Sequence, residues 1–104
     1  MTPEPRPDEA AAWEALRTVI DPEVGENVVD LGLVYRVECS PGRVAVDLTM
    51  TSPACPMAGS IAGEAEGAIR NACPEARDVR VAVVYDPPWT PERMSESARR
   101  RFGW

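Results

Sequence analysis

Val44-Ala45-Val46-Asp47-Leu48-Thr49-Met50, then Thr51-Ser52-Pro53-Ala54-Cys55-Pro56, then Met57 to Ala72, is the stretch that decides the fold. Val44, Val46, Leu48 and Met50 alternate with small or polar residues, the period-two pattern of a half-buried strand. From Met57 the period changes, because Met57, Ile61, Ala65, Ala68, Ile69 and Ala72 share one helical face that ends at Cys73-Pro74. The junction therefore predicts a strand-to-helix turn with Cys55 at its tip. Pro56 suits the first helical position, which puts Cys55 at the expected N-cap, facing unpaired backbone N–H groups and the positive end of the helix dipole. Both favour thiolate over thiol, and a thiolate binds soft metals or attacks electrophiles. The alternative is a small buried cysteine that closes the turn and is inert.

Working outward, Asp8 caps an expected helix from Glu9 to Ile20, with Ala12, Leu16, Val19 and Ile20 as its apolar stripe and Trp13 beside it. Asp21 to Glu26 reads as an acidic loop and Asn27 to Asp30 as a short extended piece. Leu31, Leu33, Tyr35 and Val37 then alternate with polar neighbours in a strand interrupted by Gly32. Ser40-Pro41-Gly42 is a turn signal that makes this strand and Val44–Met50 an antiparallel hairpin. Val79, Val81, Val83 and Tyr85 form a further strand, closed by Asp86-Pro87-Pro88-Trp89, after which Thr90 and Pro91 open a C-terminal helix to about Arg101. The order, α-β-β-β-α-β-α, predicts an α+β domain: a small mixed three- to four-stranded sheet with a central hairpin and helices mainly on one face. Residues 1–8, with three prolines and no apolar run, read as a flexible lead and no signal peptide, leaving 9–104 as a single domain expected in the cytoplasm.

The second helix also carries Gly59, Gly63 and Gly67, roughly opposite Ile61 and Ile69. Either a partner or second subunit approaches its backbone there, or the glycines are compositional drift.

Composition removes whole mechanisms. The chain has no histidine, and its 11 cations are all arginine. A Cys-His or Ser-His-Asp hydrolase has no base, a histidine zinc site has no imidazole, and Schiff-base or P-loop chemistry has no lysine. No apolar run approaches the ~20 residues that span a bilayer. A net charge of −6 argues against a nucleic-acid surface, which needs clustered cations.

Cys39 precedes the hairpin turn and Cys55 follows the return strand, so they are expected roughly 20 to 25 Å apart at ~3.3 Å per residue. Cys73 ends the helix after Cys55, about 27 Å away at ~1.5 Å per residue. A four-thiolate cluster or tetrahedral zinc site within one chain is thereby excluded. Any metal on Cys55 needs carboxylates, a small thiol, a second subunit or a receiving protein to complete its ligands. Cys39 and Cys73 read as small buried hydrophobes at the opposite pole.

Taken in order, Asp21-Pro22-Glu23, Val29-Asp30-Leu31-Gly32-Leu33-Val34-Tyr35, Thr51-Ser52-Pro53-Ala54-Cys55-Pro56 and Asp86-Pro87-Pro88-Trp89-Thr90 resemble the iron-sulfur cluster assembly domain family, from about Glu9 to Trp104. That family includes stand-alone bacterial factors associated with sulfur-mobilisation assembly, the phenylacetate-degradation protein of the D type and a eukaryotic cluster-targeting subunit. The resemblance implies a non-enzymatic maturation factor that carries iron or a cluster, or helps deliver it to client proteins. Cys55 matches the family's reactive cysteine and would be a transient metal ligand. Asp21, Glu23, Thr51 and Ser52 match positions grouped near it. The implied partners are clients and assembly machinery, with a homodimer as one way to complete the ligand set. The phenylacetate type carries an extra cysteine-rich zinc module that this sequence lacks after Trp89, so the short stand-alone type is expected. Asp30 and Gly32 are assigned to a turn or bulge and Trp89 to packing. Two other readings stay open: a non-metal adaptor in which Cys55 is structural, and a thiol enzyme in which it is a nucleophile.

Overall fold

The computed structural model describes residues 6–52 and 56–103. Its first helix, α1 (Glu9–Leu16), is capped as its sequence predicts, with Ala10 N–H donating to Asp8 Oδ1 at 3.0 Å. It stops four residues before Ile20. The Thr18 hydroxyl donates to the Ala15 carbonyl at 2.6 Å, and backbone bonds from Thr18 to Ala15 and from Val19 to Leu16 tighten the last turn. A β-branched hydroxyl residue thus takes up helical acceptors and ends the ladder. Ile20 leaves the expected stripe, 44% exposed, and enters β1 (Ile20–Asp21), which pairs antiparallel with β2 (Glu26–Asn27).

The expected acidic loop is therefore a tight hairpin, and the expected extended piece at Asn27 to Asp30 is a turn. Asn27 is the reason. Its Oδ1 accepts from Asp30 N–H at 2.8 Å, its carbonyl accepts from Leu31 N–H, and Gly32 follows at φ +76°. An asparagine side chain that mimics backbone in this way closes turns and competes with strands.

The main sheet has the order β3 (Val34–Ser40), β4 (Arg43–Leu48), β5 (Asp78–Val83). β3 and β4 form the antiparallel hairpin, with an irregularity between Val34 and Arg36, whereas β4 and β5 run parallel. A parallel neighbour requires a crossover of a dozen or more residues, and the 15-residue α2 (Ala58–Ala72) supplies it. In-register pairs put Val37 opposite Val46 and Cys39 opposite Val44, and β5 sets Val79 beside Val44. Val44, Val46, Leu48, Val79, Ile61, Ala65 and Ile69 are all buried between this face and the helices α1 and α2. The opposite face carries ion pairs of Arg36 with Glu38 and of Arg43 and Arg80 with Asp78, the pattern of a sheet wet on one side. Gly59, Gly63 and Gly67 are exposed, with open space where a Cβ would stand.

The C-terminal segment is two pieces: a 3₁₀ turn at Pro91–Arg93 and α3 (Glu96–Phe102). Met94 is extended and buried between them, and Ser95 gives its N–H to the Asp30 carbonyl at 2.7 Å and caps α3 through Oγ. That anchor to the 27–32 turn interrupts the single helix the sequence predicts. α3 is then fixed by buried Ala98 and by the pairing of Arg101 with buried Glu26. No described helix is long and apolar enough to cross a membrane.

Candidate functional site

β4 delivers the chain to the site under tight constraint. Thr49 N–H donates to Leu33 O at 2.7 Å, Val84 N–H donates to Leu48 O at 2.7 Å, and Thr49 and Met50 are 1% and 2% exposed. Thr51 is half-buried and Ser52 exposed. Pro53, Ala54 and Cys55 lie outside the described residues. Pro56 and Met57 form a turn, and α2 opens at Ala58 with Met57 as N-cap. This corrects the expected cap: Cys55 precedes the N-cap by two residues, and Pro56 is not the first helical residue. The physical reason is that a proline biases the residue before it away from helix but does not oblige the helix to start on itself.

Thr51 shares a small cavity, about 90 Å³, with Thr49, Met50, Tyr85, Pro88 and Trp89. Because β5 runs parallel to β4, the chain beyond it carries Tyr85 along the same end of the sheet. Trp89 is held by its Nε1–H, which donates to the Leu31 carbonyl at 2.7 Å. An indole buried in part usually finds such an acceptor, leaving its ring to serve as wall. Sequence reasoning missed Thr49, Tyr85 and Trp89 as members of this surface. Trp89 reads as simple packing until its N–H is seen to reach 58 residues back along the chain.

Asp21 and Glu23 behave differently from each other. Asp21 is 1% exposed, and its Oδ1 accepts from Glu23 N–H at 2.9 Å, while Oδ2 is buried with no hydrogen-bond partner among the described residues. Glu23 is exposed. Asp21 thus closes the turn before Pro22-Glu23 as a buried turn residue, and Glu23 is the exposed loop charge. The hairpin that carries both is linked to the Thr51 end through backbone bonds: Val28 to Val19, Leu33 to Val28, then Thr49 to Leu33. The structure brings the base of the Asp21 hairpin and the end of β4 onto one hydrogen-bonded frame, but Asp21 and Glu23 make their hydrogen bonds within the hairpin.

The other two thiols are free and lie toward the hairpin turn, where the chain after Cys73 bonds to Gly42 O through Arg77 and Asp78 N–H. Cys73 is fully buried with Sγ 4.0 Å from Asp8 O, and Cys39 is half-buried on the helix-covered face. Burial pushes the Cys73 thiol above its ordinary pKa, reinforced by Glu75, Cys39 and Asp8. Burial does the same for Cys39, with Glu9 and Asp8 adding to it and Arg6 opposing. Both thiols are poor nucleophiles and poor metal ligands at neutral pH. Among the described residues no group of three or more Cys, Asp or Glu side chains could hold a metal ion.

The model of the family described as iron-sulfur cluster assembly protein matches residues 9–83. The chain is 41% identical over 90 residues to the Fe-S protein maturation auxiliary factor YitW of Bacillus subtilis, covering 86% of this chain and 87% of that one. It is 42% identical over 86 residues to the Fe-S protein maturation auxiliary factor SufT of Staphylococcus aureus, covering 82% and 97%. Among solved structures it resembles a domain of unknown function from Bacillus anthracis with a TM-score of 0.87 and 41% identity, covering 91% of each chain. With a family model matched over residues 9–83 and two relatives aligned over more than four-fifths of its length, this chain belongs to the iron-sulfur cluster assembly protein family.

Proposed function

We propose that this protein is a non-catalytic maturation factor of the cytoplasm that takes up iron or an iron-sulfur cluster as cargo on Cys55 and passes it to a client protein. The observation that carries the reading is the match to two Fe-S protein maturation auxiliary factors over more than four-fifths of their length. Cysteine chemistry narrows it. Cys39 and Cys73 are desolvated away from the Thr51 end, so Cys55 is the thiolate left to bind cargo. Thr51 and Ser52 lead into Cys55 and offer hydroxyl donors to sulfide or to a bound anion, while Asp21 and Glu23 offer hard oxygen ligands to iron. One thiolate cannot hold a cluster alone. The remaining ligands come from a small thiol, a second copy of the chain or the receiving protein. Transfer is then ligand exchange, in which a client thiolate replaces Cys55 on iron, with no change of oxidation state and no bond broken in the protein.

Anaerobic reconstitution of wild type and Cys55→Ser with iron and sulfide, with a small thiol present, tests this by absorbance and native mass. Wild type should acquire cluster absorbance and mass, and the variant should lose both along with client maturation. Undiminished client maturation by Cys55→Ser would establish the adaptor reading instead.

A further inference from the structure

On the α1 side of the Gly32 turn lies a second, larger groove of about 520 Å³, walled by Trp13, Val29, Gly32, Val34, Tyr35, Pro87 and Arg93. Its volume is in the range of ligand-binding clefts, roughly 300–1,000 Å³. Four parts of the chain meet there, and each is pinned. Tyr35 O–H donates to Pro87 O at 2.8 Å, and Trp13 Nε1–H reaches Glu9 Oε1 at 3.4 Å. The backbone of Arg93 passes so close to Gly32 that a Cβ there would stand 2.0 Å from the Arg93 carbonyl oxygen. Five of the seven walls come from Val29–Tyr35 and Asp86–Thr90, two motifs that the Thr51 cavity uses only through Pro88 and Trp89.

Arg93 gives the groove its chemistry. Its guanidinium lies 4.6 Å from the centroid of the Tyr35 ring, and no carboxylate among the described residues pairs with it. In a chain of net charge −6, Arg93 thus offers the groove a cation. A guanidinium held over an aromatic ring keeps N–H donors for other partners, and two of them can grip a carboxylate with parallel bonds. Trp13, Val29 and Val34 beside it offer apolar surface that only partial burial satisfies.

We infer that this groove binds an extended segment of a protein partner that carries an Asp or Glu next to a large apolar side chain. The carboxylate sits on Arg93 and the apolar side chain lies against Trp13, Val29 and Val34. None of the groove's lining residues is among the proposed cargo ligands, so Cys55→Ser should leave it intact.

The test is a ¹⁵N NMR titration of the full chain with the blocked peptide Gly-Phe-Glu-Leu-Gly. Binding should shift the amides of Gly32, Tyr35 and Arg93. Replacing the peptide Glu by Gln, or Arg93 by Gln, should each weaken binding by about tenfold or more, and the two together little further, as one charge-assisted contact would. Arg93→Glu should reject this peptide and accept its Lys counterpart. Arg93 is exposed, so these variants keep the fold. No shift at the groove amides, equal binding of the Gln peptide, or a groove closed by self-association of the chain in sedimentation would each overturn the assignment.

Discussion

The two ends of the main sheet solve opposite problems. At the hairpin-turn end, Cys39 and Cys73 sit against apolar neighbours with their thiols pushed toward the neutral form. At the other end the structure buries polar groups instead: Thr49, Asp21 and Glu26 are each 5% exposed or less. Glu26 has Arg101 and Asn27 as partners, whereas Asp21 Oδ2 has no hydrogen-bond partner among the described residues. Burying an unsatisfied oxygen costs about 1–3 kcal/mol, so such groups persist where something other than stability needs them. The proposed cargo chemistry lies at that same end.

The sharpest break in that contrast is Gly32→Ala. Gly32 lies at φ +76° and a Cβ would overlap the Arg93 backbone, so the polar end should lose about 3 kcal/mol or more while the thiol end keeps its packing. Denaturant unfolding measures the loss, and hydrogen exchange should place it in residues 27–33 and 90–95. Uniform loss across the sheet would mean that the two ends are not separable.

A smaller effect, about tenfold in rate per pKa unit, is expected for the thiols. Alkylation at pH 7 should label Cys55 before Cys39 and Cys73. Because the folded pKa values of the latter two are raised, the stability they contribute is full below the ordinary thiol range and is lost as pH rises through their folded values, beginning above about pH 8.5. A Cys39→Ala, Cys73→Ala double variant should flatten that decline. Faster labelling of either buried thiol than of Cys55 would reverse the assignment of the two ends.

The smallest effect separates cost from purpose at Asp21. Asp21→Asn keeps the acceptor for Glu23 N–H and removes a buried carboxylate oxygen that has no hydrogen-bond partner among the described residues, so stability should hold or rise by up to about 1 kcal/mol, read from the denaturant midpoint. Iron or cluster retention should fall in the same variant. Unchanged retention would make Asp21 a turn residue.

Much of this was legible in the sequence, and the places where it was not share one cause. Alternation from Val44 and a helical stripe from Ile61 are properties of one segment burying one face, so β4, α2 and the α+β class follow from period and length, while the parallel pairing of β4 with β5 is seen only in the fold. The four motifs likewise carry the resemblance to the family by themselves. Helix ends were read less well, since Thr18, Asn27 and Pro56 act through particular hydrogen bonds and dihedral angles that period does not encode. Burial of Asp21, the Trp89 bond to Leu31 and the Arg93 stack on Tyr35 join residues up to 58 positions apart. Only the tertiary structure decides such pairings, because whether a charge is solvated, stranded or paired depends on what the rest of the chain folds against it.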